Sequence, residues 1–472
     1  MSKINSTKRV NTRTEVGELA GTTVNDIAKE TSIQKLRRIT LANLLWENNA
    51  YIDGESVSDE ISSIIPRCNP KDVADLAVEC RTKQKLRHTP LFIVSEMCRY
   101  ENMRPYVKTI LPQICTRADM LTDFLAIYWH NTDKQNRPLA NAAKIGLAES
   151  FHNFNEYKLS KYDRNTPIKL RDVMFLTHPK AKNEYEQELF SKVANRTLKT
   201  PETWEVMLSA GADKKLTWTK LITENKIGGL AMLRNISNMI NAGVDRSIIE
   251  SGLNNINNLM LLPLDYYKAN VESNNTFKHE IEDAMFRSYK NLPKLKGKTL
   301  LIIDISGSMG ARLSSKSKYS RYDAAAATAI CASQQCEDFT LMLTGGDDGM
   351  RKEAHEIVKY PPRGFDMMDK VKTSSTTIGY GGIFTRQCLE AAAEELGTDF
   401  DRIIIFSDSQ DCDIQGHRTP APFAKHNYII DVSSELHGVN YKGIWDAEIS
   451  GWSDQFLTYI NALEGNENVF VD

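Results

Sequence analysis

Lys298-Thr299-Leu300-Leu301-Ile302-Ile303 is an apolar, partly β-branched run, and Asp304-Ile305-Ser306-Gly307-Ser308 follows it at once. Such a run, bounded by a polar turn, reads as a strand buried on both faces, as in parallel sheets. This constrains the chain more than any other feature. Helices must cover the sheet, and the turn must open into the crevice at the strand's carboxyl end, where ligands bind in open α/β sheets. The turn alternates D-x-S-x-S, so Asp304, Ser306 and Ser308 can present three oxygen-bearing side chains together. One carboxylate, neutral hydroxyls and open positions suit a hard divalent cation such as Mg²⁺. The plainer alternative is a polar turn in which Asp304 accepts backbone N–H groups.

A second run, Arg402-Ile403-Ile404-Ile405-Phe406, ends in Ser407-Asp408-Ser409. Asp408 is therefore expected in the same crevice, holding the cation directly or through water. Between and beyond these runs the pattern alternates. Helices are predicted at Tyr322–Ser333, near Phe365–Lys372 and at Thr385–Leu396, with strands at Phe339–Leu343 and Tyr428–Asp431. Alternating strands and helices imply a doubly wound parallel sheet over 295–472, with right-handed crossovers placing helices on both faces.

The first 290 residues differ. Val73, Leu76, Ala77 and Cys80 share one face of a helix over Lys71–Cys80, and Met120, Leu121, Phe124, Leu125, Tyr128 and Trp129 repeat the pattern. Thr89-Pro90 and Thr200-Pro201 look like helix starts, and Gly211 like a stop. Strand-like alternation is nearly absent before residue 295. Short amphipathic helices over some 270 residues suggest a stacked helical-repeat array. Leu292-Pro293-Lys294-Leu295-Lys296-Gly297 marks the switch. The organisation expected is a flexible N-terminal arm over 1–23, a helical domain over 24–294 and an α/β domain over 295–472.

A chain of 472 residues is too long for one ordinary core. The arm lacks the apolar segment of a secretory signal, and no run reaches the roughly eighteen apolar residues of a membrane span. Eight scattered cysteines form no C-x-x-C pair, which argues against zinc and against a disulfide scaffold and suits a reducing cytoplasm. Residues 1–290 carry 41 Lys and Arg against 35 Asp and Glu, and residues 291–472 carry 18 against 26. A mildly basic front part is weak evidence for a polyanion partner there, since a solvated surface gives the same balance. No phosphate-binding G-x-x-x-x-G-K-[ST] loop or G-x-S-x-G elbow appears, so the chain is expected to be noncatalytic.

The strand-end residues resemble a von Willebrand factor A domain with its metal-ion-dependent adhesion site. Asp304, Ser306, Ser308 and Asp408 match that pattern. The family's threonine, often in Gly-Gly-Thr, meets Gly381-Gly382-Ile383-Phe384-Thr385 here. Thr385 substitutes if the loop shifts; otherwise the third hydroxyl is missing and the metal is held more weakly. Thr376 and Thr377 lie upstream of the glycines and fit less well.

Three earlier blocks extend the likeness. Glu79-Cys80-Arg81-Thr82-Lys83-Gln84 followed by Pro90-Leu91-Phe92, Lys161-Tyr162-Asp163-Arg164-Asn165 continuing to Thr177-His178, and Ala231-Met232-Leu233-Arg234-Asn235 resemble, in order, blocks of the TROVE family of RNA-binding proteins. The resemblance implies a ring of HEAT-like helical repeats plus a C-terminal α/β doubly wound von Willebrand factor A (Rossmann-like) domain. It implies binding of small structured noncoding RNAs, the Y RNAs, on an outer basic face. Single-stranded ends of misfolded RNAs would enter the central hole, in the service of RNA stability and quality control. Lys161, Arg164 (or Asn165, one residue on) and His178 are carried over as RNA contacts. Arg81, Lys83 and Lys85 are added from the densest basic cluster, which a solvated surface explains equally well. Arg234-Asn235, amid apolar residues, reads as a buried structural pair. A protein partner such as an exoribonuclease could engage the A domain. The alternative function is a Mg²⁺-dependent protein-adhesion module with a helical scaffold; a metal-dependent RNA hydrolase is a third, disfavoured because serines stand where extra carboxylates would be needed.

Overall fold

The computed structural model describes residues 32–33, 36–37, 40, 54–82, 86–130, 132, 134–163, 165–200, 206–207, 211–256, 261–313, 317–379, 381–408, 410–413, 419–432, 444–450 and 452–465. The expected N-terminal arm and most of the helix expected after Thr200-Pro201 lie outside these residues. Two compact units emerge, one within Asp53–Thr217 and the other within Trp218–Asp472.

The first unit is helical: α1 (Gly54–Ile64), α2 (Pro70–Thr82), α3 (Thr89–Met97), α4 (Arg104–Ile114), α5 (Asp119–Tyr128), α6 (Asn141–Ser150), α7 (Glu156–Ser160), α8 (Leu170–Thr177) and α9 (Glu184–Asn195). Apolar residues at helical spacing bury one stripe of α2, with Val73, Leu76, Ala77 and Cys80, whereas α3 is buried on nearly all sides. Helices pack on their next-but-one neighbours as well as on the next, as α2 does on α3 and α3 on α4. α2 lies on α4, α4 on α6 and α6 on α8, while α3 lies on α5. This is the two-layer stacking of helical repeats. At the α4–α6 contact Gly146 permits the approach, since a Cβ there would stand 2.9 Å from the Leu111 side chain.

The second unit begins with helices α10 (Lys214–Thr223, which straddles the division), α11 (Gly229–Arg234), α12 (Ile236–Asn241), α13 (Arg246–Asn254), α14 (Pro263–Glu272) and α15 (Lys278–Ser288). The change from helices to sheet falls at Leu295, yet the compact units divide after Thr217. The reason is packing: α11 and α12 lie on α14, α13 on α15, and α14 in turn on the first helix of the α/β part.

That part runs β1 (Leu295–Asp304), α16 (Arg321–Gln335), β2 (Cys336–Asp347), β3 (Lys352–Val358), α17 (Phe365–Ser375), α18 (Thr385–Leu396), β4 (Arg402–Ser407), β5 (His426–Asp431), β6 (Ala447–Ser450) and α19 (Phe456–Leu463). The sheet order is β3-β2-β1-β4-β5-β6. All neighbours are parallel except β2 and β3, which pair antiparallel. The purely parallel expectation is thus corrected at one edge. On one face Leu300, Ile302, Ile403 and Ile405 pack with Cys388, Leu389 and Ala392 of α18. α16 lies against β1, β2 and β4, and its buried alanines 324–327 let the helix approach the sheet closely. All eight cysteines are free. Burial pushes the Cys98 and Cys115 thiols up to about 12, so these two act as packing groups. Among the described residues no helix is long and apolar enough to cross a membrane.

Candidate functional site

β1 and β4 are adjacent and parallel, with Ile303 opposite Phe406, so their carboxyl ends emerge side by side. The chain leaves β1 for β2 on one side and later returns to β4 on the other. This is the switch point at which an open sheet forms a crevice. Asp304, Ser306 and Asp408 sit there, all fully buried.

The turn is tightly held. The Ser306 backbone N–H donates to Asp304 Oδ1 at 2.8 Å, and Ser407 Oγ donates to Asp304 Oδ2 at 2.6 Å. The Ser306 and Ser308 hydroxyls lie 3.1 Å apart. The Tyr322 hydroxyl donates to the Ser306 carbonyl at 2.7 Å. The glycine loop seals the other side: Gly307 N–H donates to the Gly381 carbonyl at 2.9 Å. Gly379 has no room for a side chain, because a Cβ would stand 2.0 Å from the Ile305 carbonyl oxygen.

Two further features were not singled out from the sequence. Ser407 holds Asp304, and Arg321 enters the crevice from α16. Its Nη1 donates to Asp408 Oδ2 at 2.5 Å and approaches the Ser308 carbonyl at 3.4 Å. The Arg321 side chain is 3% exposed and that of Asp408 is 0% exposed, so this ion pair is shut away from water. The sequence does hint at the position. Ser320 and Asp323 form a capping box, with Ser320 N–H donating to Asp323 Oδ2 at 2.8 Å, and this puts Arg321 at the first helical position.

Thr385 stands apart from the hydroxyl pair in its bonding. Its backbone N–H donates to Asp411 Oδ1 at 3.2 Å, while Ile383 is buried and bridges to Asp411 through the backbone. Among the described residues its hydroxyl makes no hydrogen bond to Asp304, Ser306, Ser308 or Asp408. Nor do the described residues hold any group of three or more His, Cys, Asp or Glu able to hold a metal. Two carboxylates and two hydroxyls, those of Asp304, Asp408, Ser306 and Ser308, lie at these strand ends as candidate cation donors, one carboxylate already paired with a guanidinium.

The Asp304 carboxyl is pushed up from 3.8 to about 7, first by burial and then by the nearby Asp408 carboxylate. A carboxyl raised in the folded state holds its proton more tightly there than in the unfolded chain. Its contribution to stability is fully present below about pH 4 and is lost as pH rises to about 7. In chelator, the stability of the native protein minus that of Asp304→Asn is expected to fall across this window. A difference that stays flat in urea titrations from pH 4 to 8 would contradict it.

The second region is in the helical unit. Residues 158–182 contain five Lys and two Arg against two Asp. Asp172 is engaged in capping α8, accepting the Lys169 N–H at 2.9 Å. Lys161 follows α7 and is exposed, with its Nζ 6.0 Å from the Tyr162 ring, over which the Arg117 guanidinium lies at 4.9 Å. His178 is exposed at the end of α8 in the left-handed conformation, φ 49°, its N–H donating to the Met174 carbonyl at 2.8 Å. Arg171 and Phe175, four residues apart, share one face of α8, and His178 follows at its C-cap. Phe175 is 50% exposed, with the Arg171 guanidinium 5.3 Å from its ring. Sequence reasoning overlooked this exposed aromatic, although its spacing from His178 was readable.

The other basic candidates fare differently. Lys83, Lys85 and Arg164 lie outside the described residues. Arg81 turns inward: Nε and Nη2 donate to Thr116 Oγ1 at 2.9 and 2.6 Å, and Nη1 to the Leu86 carbonyl at 3.2 Å. Nearby Arg87 bridges Asp119 and Asp123 at 2.8 and 2.7 Å. Arg234-Asn235 is only half the buried pair expected. Asn235 is buried, donating to the Ala231 carbonyl at 2.9 Å, but Arg234 is exposed because it faces away at the end of α11.

The model of the TROVE domain matches residues 195–259, which include the Ala231–Asn235 block. In structure the chain is similar to the Ro (RSR) protein of Deinococcus radiodurans, with a TM-score of 0.52 over 94% of this chain and 96% of that one. The chain resembles the TROVE family in sequence and in fold. Identity to the Deinococcus protein is 14%, so that comparison speaks for the fold. A comparison with curated proteins finds no match. The TROVE likeness in sequence thus rests on the stretch that crosses from the first compact unit into the second.

Proposed function

We propose that this TROVE-like chain binds RNA without catalysing a reaction on it. The observation that carries the reading is the exposed Phe175 and His178, with half-buried Arg171 beside the Phe175 ring, within a segment of seven cations and two carboxylates. Arginine and lysine neutralise phosphates, while an exposed ring or guanidinium stacks on an unpaired base. Folded RNA with Y-like stems and loops offers both. In the finer form of the proposal the helical repeats close into a ring, structured noncoding RNA lies on its outer basic face, and single-stranded ends of misfolded RNA enter its hole. The biological role would be RNA stability and quality control in the cytoplasm.

The test is fluorescence anisotropy with a stem–loop RNA over a salt series. If about four phosphates are neutralised, affinity falls roughly a hundredfold between about 50 and 200 mM salt. Binding that ignores salt, or none at all, would remove the reading. Sequencing RNA that copurifies from native cells would name the ligand.

A further inference from the structure

The crevice holds more positive charge than a site built only for a metal requires. Asp304, Asp408, Ser306 and Ser308 form a donor set for one hard divalent cation. Yet Asp408 Oδ2 already accepts from Arg321 at 2.5 Å, inside a pair with side chains 3% and 0% exposed. Arg321 is no stray surface residue. It starts the fifteen-residue helix α16, and the Ser320–Asp323 box fixes its backbone. Asp323 does not compete for it through Oδ1, which pairs with Lys372 Nζ at 2.8 Å. Tyr322 faces the turn carbonyls, and the Asp411 carboxylate accepts from the Thr385 and Asp413 amides. Asp408 is thus the carboxylate that both the guanidinium and an incoming cation need.

We infer that Arg321 is a built-in competitor of the divalent cation, holding Asp408 when no metal is bound and leaving it when metal binds. Two positive charges on one buried carboxylate repel each other, and a buried carboxylate without any cation is strongly disfavoured, so one occupant replaces the other. The site then has two closed states rather than one open one. The native protein takes metal weakly, because each ion must displace a buried hydrogen-bonded guanidinium. The inference rests on the cation-site reading of the D-x-S-x-S turn and is independent of RNA.

The experiment measures Mn²⁺ binding by electron paramagnetic resonance in the native full chain and in Arg321→Gln. The variant is expected to bind Mn²⁺ at least tenfold more tightly, and Mn²⁺ is expected to raise its melting temperature more than that of the native chain. Equal or weaker affinity in Arg321→Gln, with clear binding to the native chain, would overturn the competitor role and leave the cation site standing. Binding to neither protein would overturn both. Should Arg321→Gln fail to fold, the readout is the Arg321 side-chain N–H resonance of the native chain. It is expected to shift or broaden as Mg²⁺ saturates the site, and an unchanged resonance at saturation would end the idea.

Discussion

Replacing Arg402 by methionine is expected to destabilise the unit that holds the sheet by about 3–5 kcal/mol, the usual consequence of stranding one partner of a buried ion pair. Arg402 Nε and Nη2 donate to the two Glu464 carboxylate oxygens at 2.8 and 2.6 Å. Its Nη1 donates to the Lys296 carbonyl at 2.7 Å and to Thr299 Oγ1 at 3.0 Å. One side chain thus ties β1, β4 and the residue after α19, with both partners under 5% exposed. Methionine fills much of the volume but leaves Glu464 charged, buried and without its counterion. Amide hydrogen exchange in β1 and β4 reads the effect in this unit alone, which matters in a chain with two compact units. A double variant, Arg402→Met with Glu464→Leu, should recover most of the loss, since removing both charges removes the stranded one. Unchanged protection in the single variant would show that the pair contributes little.

The parts of this fold that the sequence disclosed are those where one physical demand dominates. Leu300–Ile303 and Ile403–Phe406 are apolar on both faces, so burial between two helical layers was the natural outcome. α18 was expected at Thr385–Leu396 and is found there. β3 went unseen for the opposite reason. Lys352-Glu353-Ala354-His355-Glu356-Ile357-Val358 is largely charged, as suits an edge strand guarded against further pairing, and no apolar run announces it. α19, Phe456–Leu463, is only eight residues long and is buried with its polar Thr458 and Asn461 as well as its apolar residues, so too little pattern marks it out. The candidate site divides in the same way. Asp304, Ser306 and Ser308 are close in sequence, and Asp408 ends a recognisable strand. Arg321 reaches Asp408 across 87 residues, a pairing created only when β1, β4 and α16 meet. In the helical unit a list of cations could not distinguish Arg81, bound to Thr116, from Lys161, which stays exposed.

That distinction gives the sharpest functional test. The triple variant Lys161→Ala, Arg171→Ala, Phe175→Ala is expected to lose about a hundredfold or more in affinity for stem–loop RNA. Each lost phosphate contact should lower the slope of log affinity against log salt by about one, so the two cations together lower it by about two. Phe175→Ala alone should behave differently. It removes a stacking surface worth about 1–3 kcal/mol and no charge, so affinity falls roughly five- to a hundredfold while the salt slope stays as it was. Stability should hardly move, because Phe175 is half exposed and Lys161 projects into solvent. Arg81→Ala provides the contrast: it breaks bonds to Thr116 and Leu86 within the helical unit and should loosen that unit more than it weakens RNA binding. A triple variant that binds with native affinity and native salt slope would move the RNA surface off α8. A Phe175→Ala variant that altered the slope would mean that the ring acts by positioning Arg171 rather than by meeting a base.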